Sequence, residues 1–386
     1  MKVCMISYSV YEFDNRVHRY GETLMAAGCE LDVICLSATN KPRQVDYGTG
    51  TLYEIQSRQF NEKGPVSYLF KFMRFFFKSV FLLTCLYMKK RYDVIHYHNI
   101  PDPGVFIAAV PKLCGARIVL DIHDLVPEFY QWKFGVGQHN SIISMLKYAE
   151  RVSCRFADHV IVGTHLWKER LVSRSVQPEK CSVIMNAPLP QLFDPVKGIE
   201  KRRDAFSIIY PGSLNEHFGV DVAVRGMDVI RKHIPGAVLN IYGQGRQEEM
   251  LRNIVTELGL ENNVRFHGPV MRHEIPRLIA ESHMGVVPKQ ASLFADEALS
   301  SKLLEFVYMG KPVVVSRTTI GQYYFDDTMV RFFTPGDSQD FARNVIDLYD
   351  NPEKQRNLSR NCARFNKEHS WQKYRARYLT ILEYHD

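Results

Sequence analysis

Short apolar runs alternate with longer amphipathic segments along almost the whole chain, and the two periods sort them into strands and helices. In the first half, apolar runs predict strands at Lys2 to Ser7, Leu31 to Leu36, Val94 to Tyr97, Arg117 to Asp121, His159 to Gly163 and Ser182 to Met185. A second series predicts strands at Ser207 to Tyr210, Val238 to Tyr242, Val264 to His267, Gly285 to Pro288, Pro312 to Ser316 and Met329 to Phe333. Helical segments separate them. Strand, helix and strand repeated in this way specify α/β architecture with a doubly wound parallel sheet, so two Rossmann-like halves are expected. From Asn186 the segment NAPLPQLFDPVKGIEKRRDA holds three prolines, few apolar residues and a charge cluster, the composition of a linker. The expected domains are therefore 1–190 and 191–369. Residues 370–386 read as a closing helix with Trp371, Tyr374, Tyr378, Leu382 and Ile381 on one side.

One stretch breaks the routine of alternation. From Asp296 to Ser316 the chain reads DEALSSKLLEFVYMGKPVVVS, which predicts a loop, a short helix opened by Ser300 and Ser301, a stop at Gly310 and a buried strand after Pro312. Leu303, Leu304, Phe306, Val307 and Met309 form its buried face. Ser301, Lys302 and Glu305 stand at i, i+1 and i+4, near the helix start. Unpaired first-turn amides and Lys302 can hold a diphosphate, and a carboxylate one turn further on can accept both hydroxyls of a ribose. Glu297 would then face a sugar. The bland alternative is a capped helix with a solvated lysine.

With 386 residues, 46% of them hydrophobic and 24% charged, the chain has material for two packed cores, and disorder is excluded. Its net charge of +7 suits anionic substrates or an acidic membrane surface, and no basic run with interleaved aromatics points to nucleic acid. The eight cysteines are scattered without a Cys-x-x-Cys pair, as reduced cytosolic cysteines are. The first residues, MKVCMISYSV, run straight into a polar segment and read as a strand, not a leader, so a cytoplasmic location is expected.

Residues 66–91, VSYLFKFMRFFFKSVFLLTCLYMKKR, are apolar but interrupted by Lys71, Arg74 and Lys78, too often for a membrane span. Those cations, at i, i+3 and i+7, form one stripe on an aromatic helix. A helix lying in an anionic membrane interface has this pattern, and would make the protein peripheral on the inner face of the cytoplasmic membrane. A helix packed on its sheet with the stripe in water has it too.

The spacing of Glu297 and Glu305, followed by a glycine and the strand PVVVS, resembles the paired-glutamate signature of retaining GT-B glycosyltransferases, in particular glycosyltransferase family four. The resemblance runs from end to end, linker and closing helix included. It implies two Rossmann-like domains with a cleft between them, an acceptor-binding first domain, a donor-binding second one, and a last helix that crosses back onto the first. It implies transfer of a sugar from a nucleoside diphosphate donor to a hydroxyl of a glycan or lipid-linked acceptor, in surface polysaccharide or glycolipid synthesis, with no cofactor and no metal. Glu297, His123 and Lys302 are the expected catalytic residues. Glu305, Ser301, Ser300, Gly212, Ser213, Gly243, Gly245 and His267 are expected on the nucleotide sugar, and Asp14, Arg16, His98 and Asp124 on the acceptor. A cap and a surface arginine are the plain reading of Asp14 and Arg16. Strand ends also place His98, Asp102, His123, Asp124 and Glu128 where parallel sheets bind ligands.

One departure stands out. Relatives carry an arginine and a lysine where this chain has Ser213 and Phe218, so the charge of a leaving diphosphate must be met by Lys302, the helix start or His217. Two other readings keep the framework and change the role: a nucleotide-sugar epimerase, or a silent scaffold subunit of a glycan assembly complex.

Overall fold

The computed structural model describes residues 1–39, 41–58, 65–196, 205–290 and 296–383. The chain forms two compact units, Met1–Met185 with Tyr374–Asp386, and Asn186–Lys373.

The first unit is built on an eight-stranded sheet: β1 (Lys2–Val10), β2 (Glu30–Ser37), β3 (Arg43–Tyr47), β4 (Gly50–Ser57), β5 (Val94–His98), β6 (Arg117–Ile122), β7 (His159–Val162) and β8 (Cys181–Val183). Their spatial order is β3-β4-β2-β1-β5-β6-β7-β8, parallel except where β3 meets β4. The alternating pattern leads to all but the β3–β4 hairpin, which the sequence reading leaves out. The face of β4 turned inward carries Glu54 and Gln56 as well as Leu52, so its buried positions look polar. Glu54 is neutralised there by Arg43 across the hairpin and accepts from the Ser37 hydroxyl at 2.9 Å.

Strand order reverses between β1 and β5, because the chain first builds outward through β2 to β4 and then restarts on the other side. Carboxyl ends at such a reversal are where parallel sheets bind ligands. The helix Asn15–Ala26 follows β1 and starts at Asp14, whose carboxylate accepts from the backbone N–H groups of Arg16 and Val17 at 3.2 Å each, the expected N-cap.

The helix Pro65–Lys90 buries Phe72, Phe75, Ser79, Leu83, Leu86 and Tyr87, a continuous stripe at helical spacing. Rings of Tyr68, Phe72 and Phe75 meet the ring of Tyr8 edge-on at 5.8, 5.4 and 5.1 Å. The opposite side is also apolar: Leu69, Phe70, Met73, Phe77, Phe81 and Met88 are exposed. Arg74 lies exposed among them, whereas Lys71 and Lys78 are half-buried, with the Lys78 ammonium donating to the Ile55 carbonyl at 3.1 Å. Among the described residues no helix is long and apolar enough to cross a membrane.

The closing helix, Trp371–Glu383, buries Trp371, Tyr374, Tyr378, Ile381 and Leu382. From Tyr374 onward it belongs to the first unit, where the Tyr378 hydroxyl lies 2.9 Å from Nδ1 of His96 on β5.

The second unit holds a parallel sheet of β9 (Ser207–Pro211), β10 (Val238–Tyr242), β11 (Val264–Gly268), β12 (Met284–Val287), β13 (Val313–Ser316) and β14 (Arg331–Phe333). Their order is β11-β10-β9-β12-β13-β14, so the reversal here falls between β9 and β12. The helix Ser301–Tyr308 buries Leu303, Leu304, Phe306 and Val307, as expected, and Met309 is half-buried. Gly285 lets Phe306 lie flat on β12: a Cβ there would come within 2.5 Å of the ring. Burying an aromatic ring at this point fixes the helix, and truncating such a residue to alanine costs about 3–5 kcal/mol. Gly310 ends the helix in the left-handed region at φ +61, with the Lys311 N–H returning to the Phe306 carbonyl at 2.9 Å.

Candidate functional site

Candidate residues gather at the carboxyl edge of each sheet. In the second unit, the segments after β9 and β10 close on one another, and Gly212 in the first of them lies against Lys302. A Cβ on Gly212 would lie 1.8 Å from Lys302 Cε, one on Gly243 would lie 2.0 Å from the Gly212 carbonyl oxygen, and one on Gly245 would lie 2.3 Å from that of Leu214. These glycines therefore let the loops touch one another. The Gly212 N–H donates to the Tyr242 carbonyl at 2.7 Å and the Leu214 N–H to that of Gln244 at 3.0 Å.

Lys302 leaves the first turn of its helix and crosses Gly212 toward two rings. Its ammonium is 5.4 Å from the centroid of Tyr210 and 4.4 Å from that of Phe218. Burial pushes its pKa down to about 8, against the attraction of Glu305. Among the described residues no side-chain oxygen is bonded to this ammonium. The ring of Phe218 thus occupies the surroundings of Lys302, where a cation would have repelled it. His217, beside it, is held below the ordinary histidine range by burial and then by Lys289 and Lys302, so it contributes little positive charge at neutral pH. Of the replacements for the missing basic pair, Lys302 and the helix start remain.

Ser300 occupies the N-cap position without a side-chain cap bond, and Ser301 is exposed. Glu305 stands half-buried one turn on, and Glu297 half-buried in the preceding segment. That segment is tied at both ends: the buried Lys289 donates to the Ala298 carbonyl at 2.5 Å, and Asp296 accepts from the Thr319 N–H at 2.9 Å. Ser213 is exposed, its carbonyl accepting from the Tyr210 hydroxyl at 2.8 Å. His267, near the end of β11, stacks on Tyr242 with centroids 4.4 Å apart and contacts Asn240 Oδ1 through Nε2 at 2.8 Å.

In the first unit the hub is Asp121, a residue the sequence reading passed over. Arg16 grips it with Nε at 2.8 Å from Oδ2 and Nη2 at 2.6 Å from Oδ1, and donates through Nη1 to the Ile184 carbonyl at 2.8 Å. Nδ1 of His98 and Nε2 of His123 lie 3.1 and 2.9 Å from Oδ2. Arg16 is therefore buried structure holding Asp121, not a surface arginine. These contacts hold Asp121 well below the usual carboxylate range despite burial. Asp14, the helix cap, joins the cluster: its pKa is lowered by His123, the cap bonds and Ser9, against its own burial.

Two further polar sets lie alongside. Asn99 accepts the His123 N–H at 2.7 Å, and donates to Asp102 at 2.5 Å and to the Asp124 carbonyl at 3.3 Å. It thereby fixes the loop bearing His123 and Asp124. Glu128 is spent on Arg174, which also binds Glu150. The register of the strand end hid a usable signal: Asp121 and His123, two apart, share one face of an extended chain. His96, His98 and Asp121 offer ligand atoms within 4.8 Å of one another, the arrangement closest to a metal site among the described residues. Arg16 already holds that carboxylate by two bonds, and its charge opposes a cation there.

Solved structures share this framework. Sucrose-phosphate synthase of Thermosynechococcus elongatus superposes with a TM-score of 0.78 at 18% identity, covering 99% of this chain and 98% of that one. HepE of Anabaena in complex with UDP and glucose gives 0.72 at 16%, covering 99% of each. Among curated relatives, the amylovoran biosynthesis glycosyltransferase AmsK of Erwinia amylovora is 24% identical over 48% of this chain and 46% of its own length. An uncharacterized glycosyltransferase of Methanocaldococcus jannaschii is 28% identical over 58% of each. The chain spans about half the length of the curated relatives it matches. The family model for glycosyl transferases group 1 matches residues 196–365, and that for Glycosyltransferase Family 4 matches residues 14–187. Both halves of the chain thus meet the family to which the paired glutamates pointed, and the protein belongs to the group 1, family 4 glycosyltransferases, with their GT-B fold.

Proposed function

We propose that the protein is a retaining glycosyltransferase that moves a sugar from a nucleoside diphosphate donor to a hydroxyl of a glycan or lipid-linked acceptor. The observation that carries this reading is Lys302: a desolvated ammonium beside an uncapped helix start, with Gly212 leaving it room. A half-buried cation supplied with rings in place of a carboxylate is suited to an incoming anion. Desolvated charge of this kind stabilises a leaving diphosphate more strongly than a solvated lysine would. Glu305 is assigned to the ribose, Ser300 and Ser301 to the diphosphate, Glu297 to the sugar and His267 to the base. His123 and Glu297 act at the transferred sugar, and Asp14 and Asp124 serve the acceptor side, with the fully buried His98 behind them on Asp121 rather than on the acceptor itself. In front-face transfer the leaving phosphate takes the acceptor proton, so no carboxylate nucleophile and no metal ion is required. Because HepE is described with UDP and glucose, uridine donors are the first to test.

The exposed aromatic side of the Pro65–Lys90 helix supports an acceptor held at an anionic membrane surface, in polysaccharide or glycolipid assembly. The decisive experiment is a panel of nucleotide sugars scored for thermal stabilisation of wild type and Glu305→Ala, followed by the anomeric configuration of any transfer product. Stabilisation by one base series, lost in the variant, and a product with the donor's anomeric configuration support the reading. An inverted product removes retention, donor turnover without acceptor favours an epimerase, and no response to any donor favours a silent scaffold.

A further inference from the structure

We propose that Asp121, backed by Arg16, is a positioning residue for His123: it binds the Nε2 side of that ring and leaves Nδ1 as the nitrogen that meets a ligand oxygen. The argument starts from what a carboxylate can do. Ionised, it only accepts, so both His98 Nδ1 and His123 Nε2, which converge on Oδ2, must approach it as N–H donors. The 3.4 Å approach between those two nitrogens is then a crossing of two donors at one oxygen and not a bond between the rings. With Nε2 committed, the tautomer of His123 is set.

Exposure divides the cluster by role. The Asp121 and His98 side chains are 0% exposed and that of Arg16 7%, whereas that of His123 is 18% exposed. His123 is the open member of a closed set. Its backbone is fixed as well, through the N–H held by Asn99. A ligand therefore meets a ring whose plane, tautomer and main chain are all determined before it arrives, which is the condition for preorganised hydrogen bonding.

Charge completes the picture. The groups that face His123 are Asp121 and Asp14, which favour its cation, and Arg16, which opposes it. His98, buried and pushed below the ordinary histidine range, adds none at neutral pH. Two carboxylates against one guanidinium leave a deficit of one positive charge, which a protonated His123 fills. Consistent with this, its pKa is raised although burial works the other way. The protonated ring presents Nδ1–H, so the ligand class it selects is an acceptor oxygen. The identity of that ligand rests on the glycosyl-transfer reading, as a phosphate or sugar oxygen of the donor; the positioning itself does not.

The test is long-range proton–nitrogen NMR on the full chain labelled with 15N-histidine, with His123 assigned by His123→Gln. We expect a titration midpoint above that of a free histidine, roughly 6.5, and the Nε2–H tautomer once the ring is neutral. Asp121→Asn should lower the midpoint by at least about one unit, given the ordinary size of an adjacent-charge effect, and release the tautomer. Because that variant leaves Arg16 buried without its counter-charge, the wild-type spectrum is decisive by itself. A midpoint below that of free histidine, or an Nδ1–H tautomer, overturns the proposal. None of these readings needs turnover, so a failed transfer assay leaves them intact, and an active transferase with the wrong tautomer refutes only the positioning.

Discussion

The ammonium of Lys302 lies 4.4 Å from the centroid of the Phe218 ring. An aromatic face attracts the cation without competing for an anion, so Phe218 favours the charged form of Lys302. Desolvation still wins, since its pKa falls from 10.5 to about 8.

The affinity for a nucleoside diphosphate should accordingly fall as pH rises through about 8, when the empty site loses its ammonium. Calorimetric titration across pH 7 to 10 measures this. Lys302→Met should bind weakly at every pH, and Phe218→Leu should move the decline to lower pH, because removing the ring removes about 0.5–2 kcal/mol of support for the cation. The stability of the empty protein should move the opposite way. Between about 8 and 10.5 the unfolded chain binds the extra proton, so Lys302 makes stability rise with pH over that window. A flat binding profile in the wild type would sink the assignment of Lys302 to the anion.

Gly212 and Gly243 should separate function from folding. A Cβ on Gly212 meets the mobile end of Lys302, which can swing away, so Gly212→Ala should fold but lose donor affinity by tenfold or more, about 1.4 kcal/mol. A Cβ on Gly243 meets a backbone carbonyl 2.0 Å away at φ +150, and neither can yield. Gly243→Ala should therefore lower the melting temperature itself. Calorimetric scans with and without ligand distinguish the two, and equal effects on both properties in both variants would refute the distinction.

Much of this framework was legible because period and punctuation agreed. The run from Leu303 to Val307, the stop at Gly310 and the strand after Pro312 each obey a local rule, and the structure follows them. Asp14 was readable as a cap for the same reason. What stayed hidden depended on partners far away in sequence. Glu54 looks like a surface residue until Arg43 and Ser37 close over it, so the hairpin escaped. Arg16 reads as a surface cation until Asp121, 105 positions on, receives it. The fate of Phe218 likewise depends on Lys302, which sits in a different helix.

Asp102 offers a test of stability alone. Burial pushes its carboxyl up to about 7 from 3.8, the nearby Glu150 adding to the effect, while the Asn99 amide pulls the other way. Between those values the folded state holds a proton that the unfolded chain releases, so this group makes stability fall as pH rises from 4 to 7. Asp102→Asn keeps an acceptor for Asn99 and cannot ionise. It should gain up to about 4 kcal/mol over wild type at pH 8, the whole linkage for a shift of this size, and gain little at pH 4. Urea unfolding at both pH values measures it, and a gain that is the same at both would show that Asp102 is ionised throughout.

Phe70 and Phe81 are each 73% exposed on one side of the Pro65–Lys90 helix, with Phe77 at 63% between them. An aromatic side chain left in water gives up roughly 1.5–3 kcal/mol relative to burial, and three on one face form an extended apolar surface. Arg74 among them and Lys89 at the end supply positive charge, each worth about 1 kcal/mol near an anionic lipid surface. If this face lies in a membrane interface, the protein should sediment with vesicles rich in phosphatidylglycerol, less with neutral vesicles, and less again in high salt. Replacing Phe70, Phe77 and Phe81 together by serine should lower vesicle affinity by at least about 100-fold, since even partial insertion of three rings exceeds 2.7 kcal/mol. The melting temperature should stay within a few degrees, because none of the three is buried. Arg74→Gln separates the electrostatic share, reducing binding to anionic vesicles while leaving the neutral background unchanged. Should the wild type ignore both kinds of vesicle, the acceptor is not met at a lipid surface through this helix.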